Sequence, residues 1–173
     1  MKSIFLTLFL SICFSGIAQL DNFQKEIIDL LNINGTREYY SADYYEVFPL
    51  LQRNFKDRNI PEEAWTHLKE GEDEQLDKLV SMLAFAYRKH YTQEDIVKMT
   101  EFYTTETAQK FLADKDLTSD EQKEIDDFLD SDIGKKMKKK QKDLQKDLRA
   151  IKDDWSRELF GAKMKQLIKE GYL

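Results

Sequence analysis

The stretch that decides the fold of this chain is residues 91–139, which read YTQEDIVKMTEFYTTETAQKFLADKDLTSDEQKEIDDFLDSDIGKKMKK. It states nearly the same sequence twice, at a constant offset that places Thr118 over Thr92. The other matched positions are Phe102-Tyr103 with Phe128-Leu129, Thr105 with Ser131, Ala108 with Gly134, Lys110 with Lys136 and Phe111 with Met137. The repeat predicts one structural unit in two copies, about residues 91–113 and 117–139, with the rest of the chain packed around the pair.

Each copy begins with a signal for the start of a helix. Thr92 is followed three positions later by Asp95, and Thr118 is followed in the same way by Glu121. A hydroxyl and a carboxylate at this spacing satisfy the free N–H groups of a helix's first turn. A helix is therefore predicted to start just after each threonine.

A second helix start follows within each copy. Thr105 stands before Glu106, and Ser131 stands before Asp132, so an acidic residue occupies the first helical position, where the helix dipole favours it. Two helix starts this close leave a turn of only one or two residues. Each copy is therefore predicted to be a tight αα-hairpin.

Apolar and small residues complete the unit. In the first copy one helix face carries Ile96, Met99, Phe102 and Tyr103, and in the second it carries Ile125, Phe128 and Leu129. Ala108 and Gly134 then fall in the first turn of the following helix. Glycine costs about 1 kcal/mol against alanine inside a helix, so Gly134 indicates close helix contact there. Neutral variation at an exposed turn is the alternative.

These residues resemble those of a known family of secreted bacterial proteins, grouped as domain of unknown function 2059. The matching residues are Tyr91-Thr92-Gln93-Glu94-Asp95-Ile96, Phe102-Tyr103-Thr104-Thr105, Phe128, Ser131, Gly134, Lys136, Trp155-Ser156-Arg157-Glu158-Leu159-Phe160, Gly171-Tyr172 and the spacing from Pro61 to Trp65. The chain departs from the family where Glu106 and Asp132 replace its proline and Ala108 replaces its first glycine. The resemblance implies a helical exported protein and brings no activity or binding residues with it.

The beginning of the chain has the pattern of a signal peptide at residues 1–18. Lys2 supplies a positive start, Ile4–Ile12 an apolar run, and Gly16-Ile17-Ala18 a cleavage site before Gln19. The apolar run is shorter than the roughly 20 residues that cross a bilayer, and no later run approaches that length. We therefore predict an exported protein, periplasmic or extracellular, with no transmembrane segment in the mature chain.

The same segment holds the only cysteine, Cys13, preceded by Ile12 where a lipoprotein would have a small residue. Lipidation is therefore the disfavoured alternative, and residues 19–173 are predicted to be a single all-helical domain stabilised by packing alone. Removing Lys2 from the 27 basic residues leaves 26 against 33 acidic ones, a net charge of −7. This balance disfavours nucleic acid as a partner.

The remaining helices are predicted from apolar spacing. A first helix covers about 21–33, and a tyrosine-rich helix follows that Pro49 is expected to bend or split. Another helix starts with Pro61 at its first position, and a further one carries the apolar stripe Leu76, Leu79, Val80, Leu83, Ala84 and Tyr87.

The last predicted helix is long and runs from Asp132 to about Lys169. Its apolar residues are Met137, Leu144, Leu148, Ile151, Trp155, Leu159 and Ala162. Such a narrow stripe is typical of a coiled-coil seam or of the spine of a bundle. Because Gln141 and Lys163 break the heptad pattern, we favour the bundle.

Two groups of residues are candidate sites. The first is a basic cluster inside an acidic chain: Lys135, Lys136, Lys138, Lys139, Lys140 and Lys142. It is either a solvated helix start whose lysines pair with Asp143, Asp147 and the acidic run at 126–132, or a contact for an anionic surface such as lipid headgroups, cell-wall polymer or an acidic protein. Because aromatic residues are not interleaved with the lysines, any membrane contact should be peripheral and sensitive to salt.

The second group is aromatic: Tyr39, Tyr40, Tyr44 and Trp65. These rings either belong to the core with their polar ends wet or line a pocket for a small ligand.

Catalytic and metal-binding patterns are missing from the sequence. His67 and His90 are the only histidines, adjacent carboxylates such as Asp126-Asp127 point in different directions on a helix, and there is no glycine-rich phosphate loop. We therefore predict no metal, no cofactor and no enzyme activity. The expected function is that of a non-catalytic binding or scaffold protein whose partner is an envelope protein or an anionic envelope surface. The alternative is a small-ligand carrier or enzyme whose pocket is built from the tyrosine-rich helices.

Overall fold

Eight α-helices make up the regular structure of residues 21–173, the part of the chain that the computed structural model describes. In chain order they are α1 (Asn22–Ile33), α2 (Thr36–Asn54), α3 (Glu62–Leu68), α4 (Glu72–His90), α5 (Gln93–Tyr103), α6 (Glu106–Leu112), α7 (Ser119–Asp130) and α8 (Asp132–Lys169). No strand occurs among these residues, so the predicted all-α class is confirmed. The predicted signal peptide at 1–18 and Cys13 lie outside the described residues.

The centre of the bundle is α4, which packs against α1, α2 and α8. Its predicted stripe is buried from Leu76 to Ala84, with Leu79 and Leu83 fully so, whereas Tyr87 is only half-buried. The first repeat copy joins this core because α5 packs on α1 and buries Ile96 and Met99. Helix α7 of the second copy packs on α6 and α8 and buries only Ile125. The prediction that everything else packs around the repeat is therefore wrong, because the short repeat helices offer few apolar positions and flank a core that longer helices build.

Both predicted capping boxes are present. The backbone N–H of Thr92 donates to Asp95 Oδ2 over 2.7 Å, and the N–H of Asp95 donates to Thr92 Oγ1 over 3.3 Å. Thr118 and Glu121 exchange the corresponding bonds at 2.8 and 3.3 Å. The starts of α5 and α7 thus satisfy their own free donors locally, as the spacing predicts.

The second capping hydroxyls close both hairpins. Thr105 Oγ1 accepts from the N–H of Ala108 at 3.1 Å, and Ser131 Oγ accepts from the N–H of Gly134 at 3.2 Å. Two residues, Thr104 and Thr105, separate α5 from α6, and Ser131 alone separates α7 from α8. The two predicted tandem αα-hairpins are therefore confirmed, with turns of the predicted length.

The two copies face each other about an internal pseudo-two-fold axis. Phe102 and Phe128, which occupy equivalent positions in the repeat, stack face to face with ring centroids 3.6 Å apart and an interplanar angle of 1°. A residue that contacts its own counterpart marks the axis of a two-fold interface. The two repeat copies thus pack against each other through equivalent surfaces.

Two ion pairs follow the same pseudo-symmetry. Lys110 of the first copy donates to Glu121 of the second over 2.6 Å. The equivalent lysine of the second copy, Lys136, pairs in return with the equivalent acid of the first, Asp95. Each of these acids also belongs to a capping box, so one carboxylate fixes a helix start and joins the copies.

Close packing explains the glycine of the second copy. A Cβ atom added to Gly134 would lie 2.4 Å from the carbonyl oxygens of both Phe128 and Leu129. At the equivalent position of the first copy, Ala108 fits with its side chain fully buried. The contact interpretation of Gly134 is therefore confirmed, and the alternative of neutral variation at an exposed turn is wrong.

Helix α8 has the predicted bounds and serves as the spine of the bundle, since it packs on α2, α3, α4, α5 and α7 of the same chain. Its stripe differs from the prediction at one place. Ala162 is exposed, and Lys163 is buried instead. The reason is that Trp155, Leu159, Lys163 and Leu167 continue at steps of four, so Ala162 falls outside that row.

The structure corrects one point in the prediction for each proline. Helix α2 continues through Pro49, so the expected split is wrong; the proline lies on the exposed side, where water can satisfy the carbonyl that lacks an N–H partner. Pro61 is the N-cap of α3 rather than its first residue. This shift of one position leaves Glu62 and Glu63 in the first turn, where the dipole favours them.

Candidate functional site

Three neighbouring cavities surround the turn between α1 and α2. Their volumes are about 850, 500 and 450 Å³, and Asn34 lines all three. Asn34 Oδ1 accepts from the N–H of Thr36 at 3.1 Å, and Gly35 has a φ of +79°, a conformation that favours glycine. The turn therefore holds Asn34 at the meeting point of the three cavities.

The cavity of about 500 Å³ is the most clearly apolar, and we call it the tyrosine cleft. Its apolar lining consists of Tyr87, Tyr91, Met99, Tyr103, Leu129, Met137, Leu144 and Leu148. It lies between α4, α5 and the first half of α8, and the end of α7 forms one edge. Ligand pockets commonly have volumes of 300–1,000 Å³ and linings of this type.

The cleft exists because the apolar stripe of α8 is incompletely covered in its first half. Met137 and Leu148 are only half-buried, whereas Trp155 and Leu159 in the second half are fully buried. Leu129, at the edge of the cleft, is 53% exposed. The second half of the α8 stripe is covered by the bundle, whereas the apolar surface of the first half is open to a ligand.

Four polar side chains also line the cleft. They are Lys138, Gln141 and Gln145 of α8, together with Asn34. None of the described residues that line the cleft is acidic. The cleft therefore combines an apolar body with a single positive charge and several amide groups.

The three tyrosines of the cleft remain neutral over the physiological pH range. Burial raises the pKa of Tyr91 to about 12 and also raises the pKa of Tyr103. Burial raises the pKa of Tyr87 as well, although hydrogen bonds with Thr36 and Asn34 oppose the shift. The phenols thus add hydroxyl groups to the cleft without adding negative charge.

The structure separates the four rings of the predicted pocket. Tyr39 is 69% exposed, and both it and Tyr40 line the 450 Å³ cavity. Tyr44 is fully buried and donates its hydroxyl towards the carbonyls of Lys69 and Glu70, each 3.0 Å away. Trp65 is buried in the main hydrophobic core. Tyr44 and Trp65 thus fill the core, and only Tyr39 and Tyr40 border an open space.

Sequence reasoning missed the tyrosines of the cleft. The sequence pattern places Tyr87 only in the core stripe of α4, and Tyr91 and Tyr103 only in the repeat. A usable signal was present, because Tyr87 and Tyr91, and likewise Met99 and Tyr103, recur at a spacing of four. Which faces meet, however, depends on how α4, α5 and α8 are arranged.

The lysines of the predicted basic cluster have different environments. Lys136 pairs with Asp95, Lys138 lines the tyrosine cleft, and Lys140 lines a groove beside His90. The expected pairing of the cluster with Asp147 is not observed. That carboxylate instead accepts from Lys89 over 2.8 Å and from His90 over 2.7 Å, which lowers its pKa.

The exposed face of α8 carries a longer row of cations than the sequence cluster. The row, which we call the basic stripe, consists of Lys135, Lys138, Lys139, Lys142, Lys146 and Arg149. These residues recur at helical spacing and are all exposed, and within residues 21–173 no carboxylate lies in ion-pair distance of any of them. The stripe is about 21 Å long, at 1.5 Å of rise per residue.

A buried lysine is the second feature that sequence reasoning missed. Lys163 is 8% exposed, and its ammonium donates to the carbonyl of Glu70 over 2.8 Å. The same ammonium lies 5.7 Å from the ring centroid of Tyr44 and 6.0 Å from that of Phe48. Burial lowers the pKa of Lys163. This lysine thus ties α8 to the loop between α3 and α4 and has a structural role.

Residues 21–173 contain neither a cluster of metal-ligating side chains nor a membrane-spanning helix. Within residues 21–173, histidine, cysteine and acidic side chains do not gather in any group of three or more that could hold a metal ion. His67 bonds to Glu70 at 3.0 Å, and His90 bonds to Asp147. No helix of these residues is both long and apolar enough to cross a bilayer.

Fold and site together define a class of protein: an all-helical bundle with two tandem αα-hairpins, a long final helix, and an apolar cleft beside a row of cations. Residues 77–116 match the model of a family described as an uncharacterized protein conserved in bacteria (DUF2059). The resemblance predicted from the sequence is confirmed for this segment, which holds most of α4 and the first repeat copy. The second copy, Trp155 and Gly171-Tyr172 lie outside the matched segment. No curated protein and no solved structure matches the chain.

Proposed function

We propose that this protein is exported to the cell envelope and acts there by binding, without catalysis. Its contact surface is the basic stripe of α8, and its partner is the anionic headgroup layer of a membrane. Export rests on the signal-peptide pattern at residues 1–18. Binding rests on the stripe, whose charges are not used within the described fold.

The observation that carries this proposal is the absence of acidic partners along the stripe within residues 21–173. Elsewhere on the protein, lysines do find partners: Lys78 pairs with Glu158, Lys98 with Glu94 and Lys123 with Asp127. Lys56, Lys115 and Lys165 also have no carboxylate of the described residues within ion-pair distance, but they are far apart in the chain. The six cations of the stripe, in contrast, lie side by side on one helix face, and this concentration of charge requires an explanation. An external anionic surface provides one.

The energy available is sufficient for a weak, reversible contact. Each lysine or arginine near an anionic membrane contributes about 1 kcal/mol. The acidic remainder of the protein opposes binding over longer distances, and salt shortens the reach of both effects to about 8 Å at physiological ionic strength. Binding should therefore be local to the stripe and weaken strongly with added salt.

A membrane is favoured over an acidic polymer or protein because apolar side chains lie close to the stripe. Lys138 and Arg149 belong to the stripe and also line the cavities described above. Leu129 lines the same cavity as Lys138, Tyr39 lines the same cavity as Arg149, and both apolar side chains are exposed. A headgroup layer can meet such cations and apolar groups together, whereas a hydrophilic polyanion gains nothing from the apolar groups.

The test is co-sedimentation with vesicles made of equal parts phosphatidylglycerol and phosphatidylcholine. The variant K135E/K139E/K142E reverses three charges of the stripe, none of which lines the tyrosine cleft. The control variant K56E/K115E/K165E makes the same change in net charge at exposed lysines outside the stripe.

The expected result is that the natural protein and the control bind at low salt, release at high salt and ignore pure phosphatidylcholine. The stripe variant should fail to bind while keeping its thermal stability. Equal binding by the two triple variants would show that overall charge, not the stripe, is responsible. Binding to polyglutamate but not to vesicles would indicate that the stripe contacts an acidic protein and would refute the proposal of a membrane partner.

A further inference from the structure

We infer that the tyrosine cleft binds one molecule of a single-chain amphiphile, with the apolar chain inside the cleft and a small anionic head at Lys138. This inference goes beyond docking on a surface, because it concerns a discrete ligand taken from its surroundings. The site is formed by residues that the sequence patterns did not bring together.

The shape of the site fits a chain rather than a compact polar ligand. The cleft has a volume of about 500 Å³, and its walls are leucine, methionine and tyrosine side chains. Met99 lies on one wall and Met137 on the other, and methionine adapts to apolar partners of irregular shape. An apolar chain would cover the half-buried stripe of α8 that the rest of the bundle leaves open.

The charges of the site select an anionic head. Lys138 is exposed at the cleft, and within residues 21–173 no carboxylate lies in ion-pair distance of its ammonium. Gln141 and Gln145 follow on the same side of α8, where their amides can donate further hydrogen bonds. The nearby tyrosines are neutral phenols, so the described lining holds no negative charge that would repel an anion.

The rigidity of the surrounding helices favours a site that exists before the ligand binds. The tight turn at Ser131 and Gly134 fixes the start of α8 against α7. The ion pair between Lys136 and Asp95 fixes the same turn of α8 against α5. Both walls of the cleft are therefore held before a ligand binds, by this ion pair and by the turn that includes the lining residue Gly134, which lowers the cost of ordering on binding.

The test is a calorimetric titration of the protein with dodecanoate, below the concentration at which it forms micelles. Dodecanol and dodecyltrimethylammonium serve as neutral and cationic comparisons with the same chain. The variant K138E tests the head-group contact, and its control K139E reverses a neighbouring charge that does not line the cleft. The variant M137W fills the cleft with a larger side chain.

The expected result is saturable binding of one dodecanoate, with the affinity of K138E lower by about tenfold or more, because hydrogen bonds to charged groups are among the stronger ones. K139E should bind nearly as the natural protein does, and M137W should lose binding of all three compounds. A urea unfolding curve for each variant separates loss of the site from loss of the fold. No saturable dodecanoate binding, or equal affinities of K138E and K139E, would overturn the inference.

This outcome is separable from that of the proposed function. K135E/K139E/K142E should lose vesicle binding and keep dodecanoate binding, whereas M137W should do the reverse. If dodecanol binds as tightly as dodecanoate, the cleft is an apolar site without head-group selection and the role of Lys138 is wrong. If two protein chains associate and dodecanoate has no effect, the cleft is a contact between copies and not a ligand site.

Discussion

Adding one methyl group to Gly134 should destabilise this protein, whereas the same change at Gly161 should not. Both glycines lie within α8 and have helical neighbours on each side. A Cβ atom at position 134 would meet the carbonyl oxygens of Phe128 and Leu129 at 2.4 Å, but a Cβ atom at position 161 has nothing within 4 Å. The two substitutions are chemically identical and differ only in their surroundings.

The expected loss of stability in G134A follows from the overlap between the added Cβ atom and the two carbonyl oxygens. Carbon and carbonyl oxygen ordinarily approach to about 3.3 Å, so the turn around Ser131 would have to open by roughly 1 Å. Overpacking of this kind costs about 1–3 kcal/mol, and because both contacts are with backbone we expect about 3 kcal/mol. Alanine returns about 1 kcal/mol as the better helix former, which leaves a net loss of about 2 kcal/mol for G134A. G161A should gain up to about 1 kcal/mol from the same preference.

The assay is thermal and urea unfolding of the two variants beside the natural protein. For a chain of this size, about 2 kcal/mol corresponds to a fall in Tm of about 4–8 °C, and G161A should show a small rise. Because the second hairpin could open without the main core, amide hydrogen exchange of α7 should be measured as well. If G134A is as stable as G161A and exchange in α7 is unchanged, the contact between Gly134 and the end of α7 does not exist as described.

Two further predictions concern charged side chains. A hydrogen bond from Lys110 and further bonds from Thr118 lower the pKa of Glu121 to about 2. The stability that this carboxylate adds is therefore complete above about pH 4.5 and is lost as the pH falls towards 2. Urea midpoints measured across this range should fall less for E121Q than for the natural protein. K163M keeps an apolar stem and removes a charge that burial disfavours, but it also loses the hydrogen bond to the Glu70 carbonyl, which still accepts from Tyr44. K163M should therefore stay within about 1 kcal/mol of the natural protein, whereas K163A should lose about 2 kcal/mol of packing in the same urea assay. An E121Q curve parallel to that of the natural protein would contradict the first prediction, and K163A more stable than K163M would contradict the second.

The pseudo-two-fold pairing of the repeat illustrates how far a sequence pattern can be read. The duplication itself is visible in the residues, and so are the acids and lysines at equivalent positions. That Lys110 crosses to Glu121 while Lys136 crosses back to Asp95 is a property of the folded pair. The same duplication could have produced two hairpins that never touch.

The sequence by itself determined where the four helices of the repeat begin. The caps at Thr92, Thr105, Thr118 and Ser131 lie where the hydroxyl spacing predicts them, because the donors and acceptors involved are at most three residues apart. The long span of α8 was predictable for a similar reason, since its apolar residues recur at helical spacing over its whole length. Such information is local and does not depend on the rest of the fold.

Only the tertiary structure decided which surfaces are buried and which remain open. From the sequence alone, Lys163 would be expected at the surface. It is buried because Tyr44, Phe48 and the carbonyl of Glu70, which belong to other elements, enclose it. The tyrosine cleft and the basic stripe likewise depend on which side chains α4, α5 and α7 bring to α8. The physical reason is that burial and ion pairing are set by partners distant in the chain, whereas capping is completed within a single turn of helix.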